Sequence, residues 1–520
     1  MEFTYRAYGV SGPELQVYTA VAMLPWSIKA AMGLMSDGFP LFGYRKSSYL
    51  AVSAAVASGV HVLLGVALHG SAGSETSGHT APPLSLPALT LCMFAVYFQM
   101  ALADLLVEAK YSEKVKLAPE GGPDLITFVW GGIQVAGLAS TAAAGWLIDA
   151  AGPWACYLLS APFAAAVLWP AVRNYLDEPR VGALLQCRPD ASQWAGKGRV
   201  PFMLAATMGC CGLMLAACSV LVRSLRLKCL VAAAVGLLNL TLFSLFIRPS
   251  IARINAFFFL QNVFHIGTHG ASFYFFTDTA KQYPDGPHFS ARFFVTTIGS
   301  VASLFGLLGM VCYNRFAKTW KYRSILVGSS VAFMAVNCLS IVVFLRLNLR
   351  MGVPDGVFMV ASSAMQSVIG QLSWMPMTVM LAQLCPDGLE STMYALLAGS
   401  LNLGMAVANY AGAVVLEELG VKPSGATDEG RQFDNLWIAA LISACGPCVP
   451  LALVGVLIPD ARQTDRLLQE DGARDSATAG SLFEQWQSGR KPRYGQLDEQ
   501  GARSDGDGPL SPTAVAVGRA

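Results

Sequence analysis

Apolar runs of about twenty residues recur along this chain, and they constrain its fold more than any other feature. A helix rises about 1.5 Å per residue, so roughly 20 apolar residues match the hydrocarbon thickness of a bilayer. Thirteen such runs are read near residues 14–36, 47–69, 86–110, 123–150, 153–175, 200–222, 229–248, 252–278, 290–314, 323–346, 355–385, 389–418 and 433–458. Backbone polar groups in lipid must be satisfied within the protein, and runs of this length predict helices. The composition agrees: 54% of residues are hydrophobic and 13% charged, against about 25% charged in soluble domains. The expected class is an all-α polytopic membrane protein with about thirteen membrane helices, whose surroundings are a lipid bilayer.

Charge punctuates the runs. Arg45 and Lys46, then Lys110, Lys114 and Lys116, then loop 176–199 with Arg180, Arg188, Lys197 and Arg199, then Arg315, Lys318, Lys321 and Arg323 fall at alternating connections. Lys and Arg concentrate in cytoplasmic loops, so these connections are expected inside, with the tail that carries Arg462, Arg466 and Arg474. Arg223, Arg226 and Lys228 break the alternation, which leaves open whether the 200–248 hairpin crosses fully. Residues 460–520 turn charged, then rich in Gly, Ser and Pro, and are expected to form a disordered cytoplasmic tail. A net charge of +2 with no concentrated basic face excludes nucleic acid as a partner. Most of the twelve cysteines lie in apolar runs as small hydrophobic filler. Cys445 and Cys448 have half of a metal-like spacing, but Pro447 lies between them and no second pair accompanies them. No nucleophile–base constellation, phosphate loop or dinucleotide fingerprint is present, so neither an enzyme nor a cofactor or metal is expected.

The segment Leu24–Leu50 combines a lysine inside an apolar helix with Gly33-x-x-x-Asp37 and a short loop ending Gly43-Tyr44-Arg45-Lys46. An echo follows at Tyr313-Asn314-Arg315 and Lys321-Tyr322-Arg323, again between two apolar runs. Two-fold repetition of a helical unit is a recurrent transporter architecture. Aligning Tyr44-Arg45 with Tyr322-Arg323 divides the chain into an N-terminal bundle of five spans (1–175), a central loop with an inserted helix pair (176–251), a C-terminal six-helix bundle (252–459) and the tail. On this register the first helix of the N-terminal bundle is missing, and the Lys29 helix is the second.

The Gly33…Asp37…Gly43-Tyr44-Arg45-Lys46 pattern resembles the signature of the major facilitator superfamily. The fuller run Leu24-Pro25-Trp26-Ser27-Ile28-Lys29, with Pro40 and Tyr49, resembles the folate–biopterin transporter family. So do Ala103-Asp104…Glu108-Ala109-Lys110-Tyr111, Gln371…Trp374-Met375-Pro376, and Cys385-Pro386…Gly388…Glu390…Tyr394…Gly399 with Asn402 and Gly404. The resemblance covers about residues 14–458. It departs at Ala30-Ala31, where a proline commonly follows the lysine, and at Lys46, where a second arginine is usual. It implies a two-bundle fold and proton-coupled transport of a folate, a biopterin or a related pteridine; the plasma membrane is the expected location.

Ionisable groups at membrane depth cost about 2.5–3.5 kcal/mol each on insertion scales and need a partner or a wet cavity. Lys29, Asp104 and Glu108 lie at comparable depth, and Asp104 and Glu108 share a helix face. They suit either a substrate or proton site or a buried structural ion pair. Gly33, Asp37, Gly43, Arg45 and Lys46 are read as gate residues, with Arg315 and Arg323 as the C-terminal counterpart and Glu390 as a latch or a helix cap. His265 and His269, four apart on one face of helix 252–278 with Gln261 and Asn262 nearby, are candidates for proton coupling or for satisfied interior histidines. Gln134, Gln371 and Asn402, with Trp374 and the aromatics Trp26, Trp130, Phe273 and Tyr274, would offer edges and faces to a flat ring. Two alternatives stay open: a facilitator for another small solute, and a non-transporting or decayed membrane paralogue.

Overall fold

The computed structural model describes residues 1–72, 83–117, 122–181, 199–385, 390–463, 465, 467 and 477–487. The described chain is helical, and its only β pairing is two isolated bridges. In order the helices are α1 (Glu2–Arg6), α2 (Gly12–Met23), α3 (Lys29–Gly38), α4 (Ser47–Ala72), α5 (Leu86–Leu117), α6 (Gly122–Ala151), α7 (Pro153–Ala166), α8 (Leu168–Val172), α9 (Arg199–Leu221), α10 (Leu225–Phe246), α11 (Pro249–Val263), α12 (His269–Thr277), α13 (Ile298–Cys312), α14 (Tyr322–Phe344), α15 (Leu347–Arg350), α16 (Asp355–Gln383), α17 (Glu390–Glu418), α18 (Leu436–Cys445), α19 (Cys448–Leu457) and α20 (Leu482–Gln487).

Local chemistry sets several of these boundaries. Ser11 precedes α2, Pro13 stands in its first turn, and the Glu14 carboxylate accepts from the Ser11 N–H at 3.3 Å and hydroxyl at 2.9 Å. Pro25 cannot donate a backbone bond, and the chain tightens into a 3-10 turn over Leu24–Ile28 before resuming as α3 at Lys29. Pro153 and Pro249 stand at the starts of α7 and α11.

Eleven segments among the described residues are long and apolar enough to cross a membrane. They coincide with eleven of the thirteen expected runs. The other two differ for separate reasons. Run 252–278 is not one helix: it breaks between Val263 and His269 into α11 and α12. Run 355–385 is one 29-residue helix, α16, but Ser362, Ser363, Gln366, Ser367, Gln371 and Ser373 dilute its apolar surface. The hairpin whose crossing was open is two full helices, α9 and α10, both long and apolar enough to span. Its odd cations have partners: Arg226 pairs with Glu418 at 2.7 Å, and Lys228 lies 5.5 Å from the Tyr18 ring centroid.

α4 lies along α7, and α14 along α18. α2 and α3 meet α17, α12 meets α2, and α6 meets the π-helical turn Arg292–Thr297. The pair α9–α10 packs on α3 and α17. Large apolar side chains remain exposed on the outer faces, among them Phe128, Val135, Trp146 and Leu221. Such a surface is sustainable against lipid rather than water.

The tail does not leave the fold at Asp460. Gln463 is buried, accepts a hydrogen bond from the Tyr313 hydroxyl and donates to Ala317 O at 2.8 Å. Ala477 O accepts from Arg248 N at 2.8 Å, and α20 follows. A composition poor in apolar residues concealed these few specific contacts; the rest of the 460–520 expectation lies outside the described residues.

Candidate functional site

The 3-10 turn before α3 presents Lys29 to α5. Lys29 is 6% exposed, and its ammonium forms an ion pair with the Asp104 carboxylate, whose side chain is 33% exposed. The ammonium also lies 4.6 Å from the Trp26 ring centroid. On α17, Asn402 Nδ2 donates to Trp26 O at 3.3 Å and to Ala398 O at 3.0 Å. The approach needs glycine: a Cβ on Gly399 would sit 2.7 Å from Ser27 O. Tyr394, further along α17, lies within electrostatic reach of both Glu108 and Asp104. Lys29 and Asp104 are therefore paired where α3 meets α5, with Glu108 one turn further along α5 and Asn402 of α17 bonded to the turn that precedes α3.

The signature loop is fastened by a segment that sequence reading did not single out. Phe42 and Gly43 both take positive φ, and Leu41 and Tyr44 exchange backbone hydrogen bonds. Glu178 accepts from the backbone N–H groups of Arg45, Lys46 and Ser47 at 2.9–3.1 Å, capping the first turn of α4. Asn174 positions it, donating to Glu178 O at 2.9 Å and accepting from Ser47 Oγ at 3.0 Å. Arg180 Nε donates to Tyr44 OH at 3.1 Å. The only sequence signal was an acid shortly after the α7–α8 run, too common to read. Gly33 packs against Leu105, and Asp37 and Lys46 line a void of about 30 Å3 with Thr392 and Ala395 of α17.

The second loop behaves analogously. Arg323 donates to Ile458 O and Gly455 O, both at 2.8 Å, at the C-terminal end of α19, where a cation complements unsatisfied carbonyls. Lys321 pairs with Asp460 at 2.9 Å. Arg315 is exposed. Glu390 opens α17; its side chain, like that of Trp130, lies outside the described ones.

The expectation that His265 and His269 share one helix face is overturned by the break: His265 lies in the link after α11, and His269 opens α12. The link survives because other groups take over its backbone. Gln16, fully buried on α2, donates to Gly267 O and Asn409 O, each at 2.9 Å, and accepts from Gly270 N at 3.3 Å. Cβ atoms on Gly412, Gly446 and Gly270 would overlap the carbonyl oxygens of Gly267, Phe264 and Gly12. Beyond the break, Arg6 donates to Thr277 Oγ1, Asp278 and Gln282 at 2.8 Å.

Both histidines nevertheless line one cavity of about 490 Å3. Its polar wall includes Asn262, Thr268, Ser272, Asn337, Ser340, Ser362, Ser363, Gln366, Asn409 and Ser443; its apolar wall includes Phe273, Phe276, Phe294 and Phe344. Of the amides and aromatics expected around a flat ring, Phe273 lines it, whereas Asn402, Trp26, Tyr274, Gln371, Trp374 and Gln134 do not. Gln371 turns toward Gly306 and Gly309 of α13, where the small residues make room for it. Trp374 is 52% exposed, and Gln134 sits midway along α6, a helix that leaves most of its surface open. Amides and aromatics mark no helix face by type alone, so the sequence could not place them.

A sequence profile described as the BT1 family matches residues 2–478. The chain belongs to the BT1 family. Relatives of this BT1 chain include "Probable folate-biopterin transporter 2" of Arabidopsis thaliana, 25% identical over 90% of this chain and 80% of the relative. A "Folate-biopterin transporter" of Synechocystis sp. is 26% identical over 90% and 79%. "Folate transporter 1" of Plasmodium falciparum is 22% identical over 32% of each chain. Among solved structures, a POT family transporter in complex with 5-aminolevulinic acid matches with TM-score 0.56 and 14% identity, covering 86% of this chain and 88% of that one. The inward-open xylose transporter XylE of E. coli matches with TM-score 0.50 and 14% identity, covering 88% of each. The BT1 chain is thus a multi-pass membrane protein with a major-facilitator-like fold.

Proposed function

We propose that this chain is a secondary active transporter that moves a folate, a biopterin or a related pteridine across the plasma membrane by alternating access, driven by protons. The observation that carries the reading is that "Probable folate-biopterin transporter 2" of Arabidopsis thaliana and the "Folate-biopterin transporter" of Synechocystis sp. align over 90% of the chain. The moving parts are an N-terminal bundle over 1–175 and a C-terminal bundle over 252–459, with α9–α10 inserted between them. The fastening of the two loops supports this repeat: Glu178 ties the start of α4 to the segment after α8, and Arg323 ties the start of α14 to the end of α19. Asp37 and Lys46, facing Thr392 and Ala395 of the other bundle, form the gate on the cytoplasmic side, where the C-terminus also lies.

Lys29 and Asp104 are the coupling pair. A proton on Asp104 removes the counterion of Lys29, and the ammonium then favours an anionic group of the substrate or a new partner across the interface. Coupling follows, since the proton that neutralises Asp104 frees the Lys29 charge for the substrate. Uptake of labelled folate and biopterin by cells expressing the chain tests the reading. Accumulation of at least one, increasing at acid external pH, is expected; accumulation of neither would overturn it.

A further inference from the structure

The cavity at the α11–α12 break is a cleft lined by α11, α12, α13, α14, α16, α17 and α18, with Glu2 reaching it from α1. It lies apart from the Lys29–Asp104 node, and none of its lining residues is Lys or Arg. Resting on the transport reading above, we propose that this cavity binds the uncharged ring of an unconjugated pteridine and excludes the glutamate tail of folate.

Three features carry this. First, the volume of about 490 Å3 falls within the range of roughly 300–1,000 Å3 that small-molecule pockets occupy. Second, the wall is rich in groups that both donate and accept while carrying no charge, which is what the alternating ring nitrogens, amino group and oxo group of a pteridine require. Asn337 Nδ2 and His269 Nε2 are buried and have no hydrogen-bond partner among the described residues, so a ligand edge that pairs them relieves a standing cost. Phe273 and Phe294, in edge contact with each other at 6.0 Å, supply apolar faces for a flat ring. Third, the wall offers no Lys or Arg to folate's carboxylates. An ionised carboxylate leaving water without a cation partner is strongly disfavoured. The one carboxylic side chain in the wall is Glu2, whose acceptor oxygens complement the paired N–H groups of an aminopyrimidinone edge.

The test uses the purified full chain in lipid nanodiscs, with equilibrium binding of tritiated biopterin and competition by folate. Biopterin is expected to bind at least about ten-fold more tightly than folate, equivalent to about 1.4 kcal/mol. Asn337→Ala should weaken biopterin by a similar factor. Ser340→Lys, which adds a cation to the wall, should shift the preference toward folate; it keeps the test decisive if Asn337→Ala does not fold. Folate binding as tightly as biopterin would overturn the proposal, as would biopterin binding that neither substitution alters. Cell uptake separates the two levels. Pteridine uptake with unaltered selectivity in both variants defeats the cavity assignment alone. Absence of both uptake and binding defeats the transport reading, and the cavity assignment with it.

Discussion

Removing either partner of the Lys29–Asp104 pair should have unequal effects, because the two groups are buried unequally. Stripping one partner from a fully buried pair costs about 3–5 kcal/mol. Asp104 is a third exposed, so Lys29→Met leaves a carboxylate that water still reaches, and about 1–2 kcal/mol is expected. Asp104→Asn leaves an ammonium in a dry site. There the Trp26 face, a contact worth roughly 2 kcal/mol when desolvated, and the remaining amide oxygen offset part of the loss. A destabilisation of about 2–3 kcal/mol is expected. The double variant Lys29→Met/Asp104→Asn removes both charges and should recover to within about 1 kcal/mol of the parent. The assay is paired: unfolding in detergent for stability, and pteridine uptake for function. If the pair couples transport, the double variant folds but does not accumulate substrate. Additive destabilisation, or Asp104→Asn no worse than Lys29→Met, would refute the electrostatic reasoning. Normal uptake by a well-folded double variant would reduce the pair to a structural role.

Three further outcomes follow from other contacts. Glu178→Ala removes the cap on α4 and should destabilise by about 1–2 kcal/mol, with faster amide exchange over residues 45–49; unchanged protection there would count against the cap. Gly412→Ala would drive a methyl group into Gly267 O and should abolish folded protein on size-exclusion chromatography. Gly370→Ala, with nothing within 4 Å of its Cβ, should leave the elution profile intact. Lys321 holds the exposed Asp460 carboxyl below its ordinary value of 3.8. The pair's contribution is therefore present above that value and is lost as pH falls through the lowered one. Lys321→Ala should return the Asp460 titration, followed by NMR, toward the ordinary value; an unshifted titration would argue against the pair.

Helix positions were legible because they depend on a summed property: twenty apolar residues in a row outweigh any single misfit. The Lys29–Asp104 pair was legible because an intramembrane charge demands a partner, and few candidates exist at its depth. The break in run 252–278 was not. Its cause lies in Gln16, Gly412 and Gly446, which are remote in sequence and unremarkable in composition. Glu178 was hidden for a related reason, since a loop carboxylate discloses its role only when three N–H groups converge on it. Gln371 and Trp374 were assigned by chemical type, and type does not say which way a helix faces. At the echo, Arg323 fastens its own junction; Tyr322, fully buried, donates its hydroxyl to Gln383 Oε1 at 3.3 Å, whereas the Tyr44 hydroxyl accepts from Arg180.

The central claim is that the chain couples pteridine movement to protons, and reconstitution tests it most directly. The purified chain in proteoliposomes, given labelled biopterin and an outside-acid pH gradient, should accumulate the pteridine above its external concentration. A protonophore should collapse that accumulation. Equilibration without accumulation, or accumulation indifferent to the gradient, would contradict the account.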